Sequence, residues 1–174
     1  MRALGPGSVS SFLKMVLDIV HVGLLVGVAA VGFMAFVDLL FTVNPALLDN
    51  VQISDRDQLI QRGPVLLAGL LAAGVYMAGV LVIIGALRRI FATLTVGDPF
   101  RPDNVGRLRL IALMLAILEL GRYALWLVSA WLPAVHHVRP SFGLTAWFSV
   151  LVVLVLAEVF REGARLRREA ELTI

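Results

Sequence analysis

There is no cysteine among the 174 residues, which excludes a disulfide framework, a thiolate metal site and a cysteine nucleophile. Histidine is scarce too, at 3 residues, and two of them, His136 and His137, are neighbours in one connector. Adjacent histidines do not share a helix face and no third ligand accompanies them, so no metal site is expected. The chain also lacks a His-Glu-x-x-His pair, a Gly-x-Ser-x-Gly turn and a Gly-rich phosphate loop ending in Lys-Ser/Thr. Gly5-Pro6-Gly7 is a flexible start and nothing more. Without a nucleophile beside a base, the sequence reads as non-enzymatic and needs no cofactor.

Apolar residues are what the chain has in excess: 60% of the total, with a mean hydropathy of +0.93. Soluble domains are closer to half apolar. A helix needs about 20 apolar residues to cross a bilayer, and four stretches qualify, at 13–41, 64–87, 108–132 and 144–160. Their runs are continuous, whereas a spanning β-strand alternates over about 10 residues. The first stretch is too long for a signal peptide and contains Asp18, His21 and Asp38. It reads as a retained helix, capped by Ser8, Ser10 or Ser11. The expected fold is all-α: an integral membrane four-helix bundle in a single domain, with an elbow at 88–107 and a helical tail at 161–174.

Charge then orients the spans. Four crossings put both termini and the elbow on one side, with Arg2, Lys14, Arg88, Arg89, Arg101, Arg107, Arg109, Arg161, Arg165, Arg167 and Arg168. The other side has Arg56, Arg62 and Arg139. Positive charge near span ends marks the cytoplasm, so both termini are expected there. This flanking pattern also argues against direct nucleic-acid binding, which needs arginines gathered on one polar domain. Topology alone accounts for basic residues at such an interface. Their second reading is a contact with a cytoplasmic protein or with anionic lipid headgroups.

The elbow has more design than topology requires. Leu87, Ile90, Phe91 and Leu94 recur at helical spacing, so the second helix continues beyond the membrane on one apolar stripe. Gly97 suits a helix C-cap and Asp98-Pro99 a stop, followed by Phe100. Arg101 to Asn104 supply capping side chains for a third helix starting near Val105. In the tail, arginines and glutamates recur at helical spacings, as in Arg165 with Glu169, and support an exposed helix. The apolar ending Leu172-Thr173-Ile174 adds to the docking reading.

The sequence Gly97-Asp98-Pro99-Phe100, then Asn104 and Arg107-Leu108-Arg109, and the closing "LAEVFREGARLRREAELTI" resemble the bacterial membrane family called domain of unknown function 2975. The tail residues that carry the likeness are Glu158, Phe160, Arg161, Gly163, Leu166, Glu171, Leu172 and Thr173. Asp103 stands where many relatives have Glu, which leaves capping intact. The resemblance implies a small four-span protein of the bacterial inner membrane, with no assigned reaction. It also implies association with a small helix-turn-helix regulator, which this chain would hold or sense.

Charged groups at bilayer depth need partners. Glu119 and Arg122 share a face of the third helix, with Ala112, Ala116, Trp126 and Ser129 on the same stripe. Asp38 is within expected reach of Arg122, and Tyr76 of Glu119, giving an intramembrane polar clasp. The alternative is a small oligomeric transporter or channel using the Glu119/Arg122 site. Nearer the cytoplasmic edge, Asp18 has Lys14 and His21 one turn away on either side, and Glu158 is placed to meet Arg88 and Arg89. Gly23 with Gly27, and Gly74 with Ala78, allow close helix approach within one chain or between copies in a homo-oligomer. Trp131 and Trp147 read as interfacial anchors.

Overall fold

The computed structural model describes residues 9–44, 56–97, 99–129 and 143–172. They form four helices, α1 (Val9–Val43), α2 (Arg56–Thr95), α3 (Pro102–Ser129) and α4 (Leu144–Glu171). Among the described residues there is no strand. Each helix contains a segment long and apolar enough to cross a membrane: Phe12–Val43, Gly63–Thr95, Pro102–Ser129 and Leu144–Ala170. Large apolar side chains stay uncovered along them, Val75 at 72%, Phe33 at 68% and Phe148 at 66% exposure. Helices apolar on every side suit lipid, which solvates what protein does not cover. The protein is an all-α membrane protein.

Helix boundaries differ from expectation at three places. Ser10 and Ser11 lie inside α1 and so do not precede it as caps; Ser8 is outside the described residues. Helix α2 begins at Arg56, upstream of Pro64. That proline has no N–H, so the carbonyl four residues earlier lacks its usual helical donor. Helix α3 starts at Pro102 rather than near Val105, because proline's fixed φ suits the first helical position, where no N–H is needed.

The described residues form two compact units. One unites those up to His21 with those from Gly79 onward; the other is Val22–Ala78. The first has a core of Ala86, Ile90, Leu108, Ile111 and Ala157, with Leu87, Leu94, Leu115, Val153 and Phe160 packed on it. These residues recur every third or fourth position on α2, α3 and α4, so three helical stripes meet there. Of the stripe read from the sequence, Leu87, Ile90 and Leu94 enter this core, while Phe91 is partly buried. Helix α2 packs tightly on α3 at Gly79, where a Cβ would lie 2.6 Å from a Leu118 methyl carbon.

In the Val22–Ala78 unit, a Cβ on Gly27 would meet the Met77 methyl at 2.5 Å. Gly74 is an ordinary 3.8 Å from Val31, and Gly23 has nothing within 4 Å. Of the small-residue positions singled out in the sequence, Gly27 is the one where a larger residue would require a neighbour, the end of the Met77 side chain, to shift.

Candidate docking surface at the elbow and tail

Helix α2 ends at Thr95, and two residues on Gly97 has a φ of +85°, the only positive value among the described residues. Its N–H donates to the Leu94 carbonyl at 3.0 Å, the C-terminal closure that a left-handed glycine permits. Asp98 lies outside the described residues. The chain re-enters a helix at Pro102, and the turn between is tied by side chains.

Asn104 is the centre of that tie. It is completely buried. Its amide donates to Thr93 Oγ1 at 2.7 Å and to the Pro99 carbonyl at 2.9 Å, while its Oδ1 accepts from Arg107 Nη1 at 2.9 Å. Thr93 in turn donates to the Ile90 carbonyl at 2.7 Å, and Arg107 reaches back to the Arg89 carbonyl at 3.2 Å. The side chain therefore does not cap α3, as the sequence suggested. It joins the end of α2 to the start of α3, and every amide hydrogen-bonding direction it uses is met internally.

Phe100 joins this turn to the tail. Its ring centroid is 5.5 Å from that of Phe160, tilted by 55°, a geometry aromatic pairs favour. Its edge also lies over Gly163, where a Cβ would come within 2.6 Å of the Phe100 ring. Sequence reading named Phe100, Phe160 and Gly163 separately. What it missed is that the glycine makes room for the ring.

The elbow arginines divide by what they touch. Arg88 Nε donates to Asp18 Oδ1 at 2.5 Å, bringing α1 to the end of α2. Asp18 thus finds Arg88 across the fold, where Lys14 and His21 were the expected neighbours. Arg101 is 4.0 Å from Asp103, and Arg107 belongs to the Asn104 tie. Arg89 and Arg109 are exposed. In the tail, Arg161 pairs with Glu158, so Glu158 meets its own helix and not Arg88 or Arg89. Arg165 pairs with Glu162 at 2.6 Å and with Glu169 at 3.5 Å. These pairs are about half exposed or more, and such pairs stabilise by at most about 1 kcal/mol. Arg167 and Arg168 are exposed as well.

At the far end of α3, Arg122 donates to Glu119 through Nη2 at 2.5 Å and Nε at 3.1 Å. Glu119 is buried, at 8% exposure. Arg122 also lies 5.1 Å from the centre of the Tyr123 ring, and Trp147 Nε1 donates to the Tyr123 hydroxyl at 3.4 Å. The start of α4 rests on this group, since a Cβ on Gly143 would be 3.4 Å from Arg122 Nη2 and 3.5 Å from Glu119 Oε1. Along α3 the pair is roughly 25 Å from Pro102. Asp38 and Tyr76 belong to the other unit. There Tyr76 is 51% exposed, and Asp38 edges a groove of about 320 Å³ beside Phe33 and Phe41. His136, His137, Trp131 and residues 173–174 lie outside the described residues.

No group of acidic and histidine residues able to hold a metal occurs among the described residues. Four lipid-compatible helices and a tied turn define the class as a multi-pass helical membrane protein. The chain belongs to the family described as "Protein of unknown function (DUF2975)", whose model matches residues 51–174. That span contains the elbow, the tail and all of α2, α3 and α4. No curated protein and no solved structure matches the chain.

Proposed function

We propose that this is a non-catalytic protein of the bacterial inner membrane, with both termini and the elbow in the cytoplasm. Its elbow and tail together hold a small cytoplasmic helix-turn-helix regulator. The observation that most supports this reading is the seat of Phe100 on Phe160 and Gly163, because it joins two segments distant in sequence into one surface. The arginine bias supports the orientation. Leu166 and Leu172, exposed at 54% and 83%, supply apolar positions among the tail's charges, the mixture an amphipathic partner helix uses. The regulator itself comes from the family resemblance.

The transporter alternative has no observation in its favour. Glu119 and Arg122 satisfy one another and support the start of α4, which is how paired charges act as architecture.

The test is membrane recruitment. Small helix-turn-helix regulators of the same organism are expressed one at a time as fluorescent fusions with the full-length protein. One of them should localise to the membrane, and should return to the cytoplasm when the tail is removed after Phe160. If none is recruited, or if recruitment is indifferent to the tail, the docking reading fails.

A further inference from the structure

Where the tail leaves the apolar part of α4, an open groove of about 400 Å³ lies between it and the start of α3. Arg161, Arg165, Arg168 and Glu162 form one wall, and Pro102 and Val105 the other. We propose that this groove binds the phosphoglycerol headgroup of an anionic phospholipid.

Position is the first argument. The apolar run of α4 ends at Phe160, and the arginines begin at the next residue, so in a bilayer the groove opens at the level of the lipid phosphates. Leu154, seven residues before Arg161 on the same helical stripe and 44% exposed, continues the wall toward the hydrocarbon, where an acyl chain would lie.

Charge is the second. Three arginines recur along one face of α4, and guanidinium groups bind phosphate through paired N–H donors. Two of them are held now by exposed glutamates, as Arg161 by Glu158 and Arg165 by Glu162 and Glu169. Exposed pairs of this kind are weak and exchange readily for a phosphate. Arg168, at the lower end of the wall, has no ion pair among the described residues and is exposed. By contrast Arg88 and Arg107 of the elbow are committed to Asp18 and Asn104, and the arginines that line this groove are those of the tail.

Size and composition choose the ligand. A helix is roughly 10–12 Å across with its side chains, too thick for a groove of about 400 Å³, whereas a headgroup fits. Glu162 in the same wall is unfavourable for a bare anion. It suits a headgroup that has hydroxyls beside its phosphate, since a carboxylate only accepts hydrogen bonds.

Native mass spectrometry of the full chain in detergent tests the assignment, with phosphatidylglycerol, phosphatidylserine and phosphatidylcholine of matched acyl chains as probes. Phosphatidylglycerol should be retained in preference to both others. Arg165→Gln and Arg168→Gln should each weaken that retention roughly fivefold, the effect of one basic residue near an anionic surface. Ala164→Trp, which keeps every charge but fills the groove, should abolish it. Lys14→Gln, on α1 and outside the groove lining, should leave it unchanged. Circular dichroism confirms that each variant is folded.

Equal retention of phosphatidylglycerol and phosphatidylcholine overturns the proposal, as does a preference that survives both Ala164→Trp and the arginine changes. Equal retention of phosphatidylserine removes the glycerol assignment, and displacement of the lipid by millimolar inorganic phosphate assigns the groove to a free anion instead. The measurement uses purified protein and no regulator, so its failure leaves the docking reading standing, and the reverse holds.

Discussion

Phe100 and Gly163 are complementary: the ring occupies the space that any side chain at position 163 would need, with its nearest atom 2.6 Å from where a Cβ would stand. The bulk of one is accommodated by the absence of the other, across a separation of 63 residues (163 minus 100). Gly163→Ala should therefore lower stability by about 1–3 kcal/mol, the usual cost of overpacking. Thermal unfolding in detergent measures it. Because the clash requires the ring, Gly163→Ala added to Phe100→Ala should cost much less than it does alone. Additive losses would show that the two residues do not share that space.

Asn104 should be intolerant of change out of proportion to its size. Asn104→Ala strips Thr93, the Pro99 carbonyl and Arg107 of a partner in a buried site. Leaving buried groups unsatisfied costs about 1–3 kcal/mol each, so the elbow should open to protease at lower denaturant. Asp103→Ala one residue earlier, at a side chain 63% exposed, should change stability by less than about 0.5 kcal/mol. Similar losses at the two positions would contradict the tie described for Asn104.

The two halves of the Glu119–Arg122 pair should not be equivalent. Their side chains are 9% and 42% exposed. Arg122→Gln leaves a buried carboxylate without its cation, a loss of about 3–5 kcal/mol for such pairs. Glu119→Gln leaves an arginine that is far less buried than the carboxylate it pairs with, and should cost clearly less. Chemical denaturation of both variants in detergent decides; a larger loss for Glu119→Gln would be the wrong way round.

Asp18 and Arg88 provide a measure of how firmly α1 is fixed to the end of α2. Both side chains are part-exposed, 40% and 34%, so a double-mutant cycle with Asp18→Asn and Arg88→Gln should return a coupling of at most about 1 kcal/mol. It should shrink as salt rises. A coupling of zero at low salt would mean the contact contributes nothing.

Orientation is testable because the chain has no cysteine, so each introduced thiol is unique. Arg101→Cys and Arg167→Cys should resist an impermeant maleimide in intact cells and react once the membrane is opened. Labelling of either from outside would invert the proposed topology.

Much of the fold was legible because its signals are local. Long apolar runs became α1 to α4, Gly97 turns the chain just past the end of α2, and Arg165 with Glu169 pair along one helix. The residues that were misread depend on which face of a helix meets protein. In these spans the apolar residues surround the helix, so periodicity does not distinguish a lipid-facing stripe from a packed one. That is why the unremarked Gly79 turned out to be a close approach of α2, while Gly74 and Gly23 did not. Long-range pairs were hidden for another reason. Asp18 had two basic neighbours within one turn, and only the folded chain puts Arg88 nearer. Asn104 was placed correctly in the elbow, but its role as a buried tie required Thr93 beside it.

The uncovered side chains of the spans carry a consequence for variation. A residue such as Val75 or Phe148, at 72% and 66% exposure, meets only solvent or lipid tail, so one aliphatic there should serve as well as another. Around Asn104, Phe100 and Gly163 a single added or lost atom collides with or orphans a neighbour, and at Gly97 a side chain would strain the left-handed backbone. A saturation library should therefore show permissive shafts and one unforgiving joint.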